Sequence, residues 1–350
     1  MAGSTFGKMF SITTFGESHG RSIGVVVQGC PPKIPLTGQM IQKALDERKP
    51  GGGIGGTRRK EPDRAIIASG AFEGVTTGTP IMIMIENRDA DSKPYYKSAH
   101  VYRPGHGDIT YQSKYGIRDF RGGGRASARE TAARVAAGGV ACAYLSLQGI
   151  EVSAYTIELG GIKADGLKKE VPEESTLRCP DPKAEKRMEE RIRQVKREGD
   201  SLGGVVEVTA SGVPAGLGDP VFDKLDADIA KAFMSVGAVK AVEIGAGCES
   251  AGMTGSANND PIGSKGFESN NAGGILAGIS NGNDIVARAW VKPIPSIEKT
   301  VKTLDLDGNE TETSTTGRHD ICAIPRINPV LKAMMQLTIA DHFLRQKALL

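Results

Sequence analysis

Aromatic residues are scarce in this sequence, with nine Phe, seven Tyr and a single Trp in 350 residues. A core of this length must come from Val, Ile, Leu, Met and Ala, and little is left for stacking nucleic-acid bases. Charge of one sign is missing too: 44 Lys and Arg against 41 Asp and Glu leave +3, which excludes a generally basic coat for polyanions. Cys30, Cys142, Cys179, Cys248 and Cys322 form no CxxC pair and no Cys/His ligand spacing. No metal site is expected, and scattered thiols suit a reducing, cytoplasmic setting. The N-terminal 15 residues carry one Lys and no secretory apolar run. The longest uncharged stretch near a helix, residues 135–149, is broken by Gly138 and Gly139 and is too short for a bilayer. These absences predict a soluble chain with neither membrane nor nucleic acid as partner. A Walker loop and a nucleophile elbow are also missing. Gly51-Gly-Gly-Ile-Gly-Gly lacks the Lys-Ser/Thr ending, and its composition reads as a mobile loop.

Glycine is what abounds: 46 residues, about 13% against a usual ~7%. Between the glycines, β-branched clusters predict strands at 23–28, 81–86, 205–210 and 285–291. Thr37 is placed to cap a helix through Met40, Ile41, Ala44 and Leu45 to Arg48, where Pro50 and Gly51 stop it. Further helices are expected at 182–198, 225–234 and 329–349, and from about Ser127. The charge-dense one at 182–198 has a thin stripe of Met188, Ile192 and Val195 and reads as a solvated surface helix. Two patterns recur in the same order. Ser22-Ile-Gly-Val-Val-Val is echoed from Ser201, and Gly74-Val-Thr-Thr-Gly-Thr-Pro-Ile is echoed from Gly278. We therefore expect an α+β fold in one domain over 1–350. It would hold pseudo-repeats at roughly 1–150 and 200–350, a helical insertion around 182–199, and a site at their seam.

Chemistry concentrates in residues 118–134, which hold Arg118, Arg121, Arg125, Arg129 and Arg134 with only two acids, Asp119 and Glu130. Ser127 and Glu130 have capping-box spacing, and Gly122-Gly-Gly before them permits a sharp turn close to a ligand. Free N–H groups at that helix start, with Arg125 and Arg129 one turn apart, predict an anion site. His19, His106 and His319 lie in three Gly-flanked loops, Phe15-Gly-Glu-Ser-His-Gly, Arg103-Pro-Gly-His-Gly-Asp and Gly317-Arg-His-Asp. Loop histidines beside an arginine cluster point to acid–base work on an anionic substrate.

The segments FGESHG (15–20), RPGHGD (103–108), YGIRDFRGGGRASARET (115–131), SGVPAGLG (211–218), SNNAGGILAGIS (269–280) and GRHD (317–320) together resemble the chorismate synthase family. The resemblance runs from about Thr5 to Arg345. It implies anti-1,4-elimination of phosphate and a ring proton from 5-enolpyruvylshikimate 3-phosphate, with reduced FMN required although nothing is oxidised overall. It implies that His106 donates a proton to the reduced flavin and His19 protonates the departing phosphate. Asp320 would keep flavin N5 unprotonated to receive the ring proton, with Ser18 and Ser127 assisting. His19, Arg48, Arg103, Arg129 and Arg318 would hold the substrate. FMN contacts would fall at Arg125, Ala126, Ser127, Gly237, Ala238, Ala277, Lys292, Pro293, Ile294, Pro295, Ser296 and Arg318. A β-α-β sandwich with pseudo-twofold symmetry, assembled as a homotetramer, is implied as well. Relatives commonly carry an Arg near the position of Ile54, where Arg58 or Arg59 would have to substitute. No insertion large enough for a flavin reductase is present, so a monofunctional enzyme is expected. Two other readings compete: a flavin-dependent oxidoreductase acting on an anionic phosphorylated substrate, and a non-catalytic nucleotide or RNA binder using the 118–134 helix.

Overall fold

Strand alternation decides which face of each sheet meets the core. Strands β1 (Thr5–Phe6), β2 (Ser11–Gly16), β3 (Ser22–Gln28), β4 (Ala65–Ile67) and β5 (Ile81–Glu86) form one antiparallel sheet in the order β1-β2-β3-β5-β4. In register, Ile23, Val25 and Val27 of β3 oppose Ile85, Ile83 and Ile81 of β5. All six side chains are fully buried on one face, as period-two side-chain direction requires. A computed structural model supplies this description, for residues 3–49, 54–56, 61–89, 91–96, 98–165, 171–315 and 320–350.

The second sheet contains β6 (Glu151–Leu159), β7 (Ile162–Lys163), β8 (Gly204–Ser211), β9 (Val239–Ile244) and β10 (Ile285–Val291), in the order β9-β10-β8-β6-β7. Along the chain and across the sheet, β6-β8-β10-β9 follows the same path as β2-β3-β5-β4. The second sheet thus takes up the chain from Glu151, ahead of residue 200 where the second repeat was expected to open.

Six helices of eight residues or more accompany the sheets among the described residues: α1 (Gly38–Arg48), α2 (Asp108–Tyr115), α3 (Thr131–Ser146), α4 (Pro182–Arg197), α5 (Leu225–Met234) and α6 (Ile324–Leu349). Thr37 Oγ1 accepts the Met40 N–H at the start of α1, as its sequence position predicts. Helix α3 packs on β3 and β5, α6 packs on β6 and β8, and α3 and α6 pack on each other. The layering is therefore sheet, helices, sheet, and the fold is α+β. Where α3 and α6 meet, a Cβ on Gly138 would stand 2.4 Å from Ala333 Cβ and 2.8 Å from Ala333 Cα. Only glycine lets the two helices approach that closely.

Two of three local expectations need correction. Helix α6 begins at Ile324, five residues before the expected Pro329, because Pro325 sits in the first turn, where no N–H partner is needed. Pro329 lies inside the helix and gives up one backbone bond. Helix α4 is the surface helix expected, with its stripe of Met188, Ile192 and Val195 buried and its outer face exposed. Helix α3 starts at Thr131, not at Ser127. Ser127 Oγ does accept the Arg129 N–H, at 3.3 Å, over a short 3-10 turn. Glu130 does not complete the capping box. Its carboxylate instead accepts from Thr14 Oγ1 and Arg134 Nε, each at 2.9 Å, since an arginine one turn on is the stronger partner.

Candidate active site

A cavity of about 570 Å³ opens at the seam of the two halves. The first half contributes Arg48 at the end of α1, the 103–108 loop, and the chain from Gly122 to Arg134. The second contributes Ser235 to Ala238 after α5, Lys292, Ile294, Pro295 and Ser296 after β10, and Asp320 with Arg326 at the start of α6. Eight Arg and Lys against five Asp and Glu line it among the described residues. The wall thus concentrates positive charge in a chain that is nearly neutral.

The glycine turn explains how His19 reaches this wall. Gly122, Gly123 and Gly124 all take positive φ, at 65°, 87° and 53°. A Cβ on Gly122 would fall 2.3 Å from His19 Cδ2 and 2.9 Å from Ser18 Oγ. His19 and Ser18 thus contact the cavity wall through Gly122 and are not themselves part of the lining. Beyond Gly122, His19 Nδ1 lies 2.8 Å from Ser92 Oγ and its ring meets Tyr95 edge-on. The N–H groups expected to be free near Ser127 are mostly used in place. Those of Ala126, Ser127 and Glu130 reach the carbonyls of Gly123, Gly124 and Ser127. Two consecutive 3-10 turns, not an open helix start, therefore form this part of the wall.

The arginines face the cavity already braced. Arg48 donates from Nε to Thr131 Oγ1, from Nη1 to Asp63 Oδ2 and from Nη2 to the Ala128 carbonyl. Arg129 bonds Asp63 Oδ1, Asn87 Oδ1 and the Glu86 carbonyl. Arg103 makes a two-bond fork with Asp108, both at 2.8 Å. A guanidinium has five N–H donors, so among the described residues these bonds take up three on Arg48, three on Arg129 and two of the side-chain donors of Arg103. Burial, then repulsion by Arg326, lowers the Arg48 pKa to about 9 against the pull of Asp63. For Arg103 burial works against the charge, but the Asp108 fork outweighs it and the pKa is raised. Lys292 stands apart. Its Nζ reaches the Gly105 carbonyl at 3.1 Å, and it is the lining cation with no carboxylate within 4.0 Å among the described residues.

Half-buried on the same wall, His106 has its ring set by two contacts: Nδ1 is 3.1 Å from the Pro104 carbonyl and Nε2 is 2.9 Å from Ser296 Oγ. A carbonyl only accepts, so the neutral ring carries its hydrogen on Nδ1, and Nε2 accepts from the Ser296 hydroxyl. Burial, then the Arg103 charge, pushes the His106 pKa below its ordinary value. Asp320 Oδ2 lies 2.5 Å from Arg326 Nη1, with both groups on the lining.

Of the other expected contacts, Arg125, Ala126, Ser127, Gly237 and Ala238 line the cavity. Pro293 is not on the lining, though both its neighbours are. Ala277 is exposed at the tip of a hairpin beside the opposite, N-terminal end of α5, where the Leu225 N–H meets the Gly278 carbonyl. This chain does not bring it to the cavity. Arg318 and His319 lie outside the described residues, as do Arg58 and Arg59. Ile54 packs against the apolar core. Sequence reasoning missed Asp63, Glu61 and Arg326. Arg326 follows Asp320 by six residues, but Glu61 and Asp63 carry no periodicity or motif that marks them.

The chorismate synthase sequence family model matches residues 10–344. A chorismate synthase of Desulfosudis oleivorans is 64% identical over 350 residues, covering 100% of this chain and 99% of that protein. One of Desulfatibacillum aliphaticivorans is 59% identical, covering 99% of this chain and 97% of that protein. A crystal structure of chorismate synthase superimposes with a TM-score of 0.78 at 34% identity, covering 97% of this chain and 93% of that one. With one cavity joining both halves and a family match over nearly its whole length, the chain belongs to the chorismate synthase family.

Proposed function

We propose that this chain is a carbon–oxygen lyase that converts 5-enolpyruvylshikimate 3-phosphate to chorismate, the last step of the shikimate pathway, with reduced FMN bound beside the substrate. The observation that carries the reading is the cavity itself: its excess of cations faces His106 and Asp320 in one space. A volume of about 570 Å³ lies within the ~300–1,000 Å³ range of small-molecule sites. The donor set suits a flavin phosphate beside a phosphorylated dicarboxylate. Ala126, Gly237, Ala238, Ile294 and Pro295 offer apolar lining to a ring system, and Lys292 offers a charge with no carboxylate within 4.0 Å among the described residues.

In this reading the chain's own groups divide the work. Arg48, Arg103 and Arg129 hold the substrate anions with the donors left over from Asp63 and Asp108, so the planes of the clamps are set before binding. His106 holds or releases a proton at Nε2. Asp320, oriented by Arg326, is the carboxylate that handles a proton at the cofactor, and His19 is the acid for the departing phosphate. Reduced flavin, which Arg125, Ser127 and Lys292 would help to hold, would supply electron density to the elimination without net oxidation. Assembly as a homotetramer belongs to the same proposal. The test is anaerobic incubation of the protein with the enolpyruvyl substrate and dithionite-reduced FMN. Chorismate should appear, and should not appear when FMN is left out. No product with both present overturns the proposal.

A further inference from the structure

Both ring nitrogens of His106 are occupied by the protein, which restricts how a proton can move between this ring and the cavity. The Pro104 carbonyl at Nδ1 accepts a hydrogen bond but has no hydrogen to pass on. The Ser296 hydroxyl at Nε2 donates and accepts at once, and Ser296 itself lines the cavity. We propose that Ser296 is the relay through which His106 exchanges a proton with whatever occupies the cavity. This deepens the function proposed above and rests on it for the identity of the occupant.

The relay is held in place from several sides. Ser201 Oγ donates to the Ile294 carbonyl at 2.6 Å, and the Lys292 N–H reaches the Ala238 carbonyl at 2.9 Å. Pro293 and Pro295 fix φ on either side of Ile294. The 103–108 loop lies directly against this segment, because a Cβ on Gly105 would stand 2.6 Å from Pro295 Cβ. Charged groups face the ring from both segments: Arg103 and Asp108 on its own side, Lys292 on the side of Ser296. When the ring is protonated, Nε2–H donates to Ser296 Oγ, and the hydroxyl hydrogen turns to the cavity. As that hydrogen passes to an acceptor there, the Nε2 proton passes to Oγ. One proton leaves the ring, one reaches the acceptor, and a neutral imidazole and an intact hydroxyl remain.

The experiment compares Ser296→Ala and Ser296→Thr with the wild type by two readouts. The first is the side-chain 15N resonance of His106 Nε2 in the protein without ligands. The second is kcat alongside the Kd of oxidised FMN and of 5-enolpyruvylshikimate 3-phosphate. A relay predicts that Ser296→Ala shifts the Nε2 resonance and lowers kcat at saturating FMN by roughly 10²–10⁴-fold, while the Kd of 5-enolpyruvylshikimate 3-phosphate stays within about threefold of wild type, a difference of under ~1 kcal/mol. Ser296→Thr, which keeps the hydroxyl, should restore kcat. An unchanged Nε2 resonance overturns the relay, as does normal kcat in Ser296→Ala. Weakened FMN binding with normal kcat at saturation also overturns it, making Ser296 a contact only. Should the wild type make no chorismate, the proposed function fails by itself, and the Nε2 resonance alone decides whether the hydroxyl holds the ring.

Discussion

Asp63 Oδ2 lies 3.2 Å from Arg48 Nη1, and neither side chain is more than 2% exposed. The other oxygen of the same carboxylate meets Arg129 Nη1, also buried. One acid thus holds two cations that both face the cavity, and Glu61 stands 3.9 Å from Arg129 on the same side. Two guanidiniums buried together would repel without it.

Removing Asp63 should therefore leave buried Arg48 without this carboxylate and buried Arg129 with only the more distant Glu61. Breaking a buried ion pair from one side typically costs ~3–5 kcal/mol, so Asp63→Asn should lose stability of that order in urea unfolding. A loss under ~1 kcal/mol would show that the carboxylate is not what holds the pair.

Arg129 and Arg193 offer a contrast in burial. The Arg193 side chain is 54% exposed and pairs with Glu189 one turn away, so Arg193→Ala should change stability by no more than ~0.5 kcal/mol and leave binding alone. Arg129→Ala should weaken substrate binding by roughly 10- to 150-fold, the equivalent of one charged hydrogen bond of ~1.5–3 kcal/mol. Calorimetric titration of the substrate into each folded variant reads the difference. Equal affinities would take Arg129 out of the substrate site and leave it a buried structural cation.

Gly122 should behave as part of the His19 site. His19→Ala is expected to lower turnover by ~10²–10⁴-fold. Gly122→Ala places a methyl where the His19 ring lies and strains a backbone at φ 65°, so it should lower kcat in the same direction. Normal kcat in Gly122→Ala would separate the glycine turn from the histidine.

Much of this was legible in the sequence, for a physical reason that differs by element. The strands at β3, β5, β8 and β10 announce themselves because β-branched runs between glycines have few other ways to fold. The Thr37 cap was legible because a cap is a contact between neighbours in sequence. Asp63 was not, because its partners are 15 and 66 residues away, and burial of an acid leaves no local pattern. The start of α6 was hidden because proline reads as a breaker unless its place in the first turn is known. Ser127 and Glu130 had the spacing of a capping box, yet Thr14, distant in sequence, and Arg134, one turn on, claimed the carboxylate.

The lowered His106 pKa gives a signed pH effect. The unfolded ring takes up a proton at its ordinary value near ~6.5, while the folded ring, shielded by burial and opposed by Arg103, takes it up at lower pH. The unfolded state therefore binds more protons in between, and stability falls as pH drops from about 6.5 towards the folded value, with no such loss above it. Urea unfolding at pH 7.5 and pH 5 should show a smaller drop for His106→Gln than for the wild type. An equal or larger drop in the variant would assign the pH dependence to other groups.

The proposed elimination needs the flavin without consuming it. It is tested most directly by counting products against flavin under anaerobic conditions, with reduced FMN well below the substrate concentration and NADPH present as a possible hydride source. Elimination predicts many molecules of chorismate per FMN, one phosphate released with each, a flavin spectrum that stays reduced, and no NADPH consumed. One flavin oxidised, or one NADPH consumed, per product would contradict it and mark a hydride-transferring oxidoreductase instead.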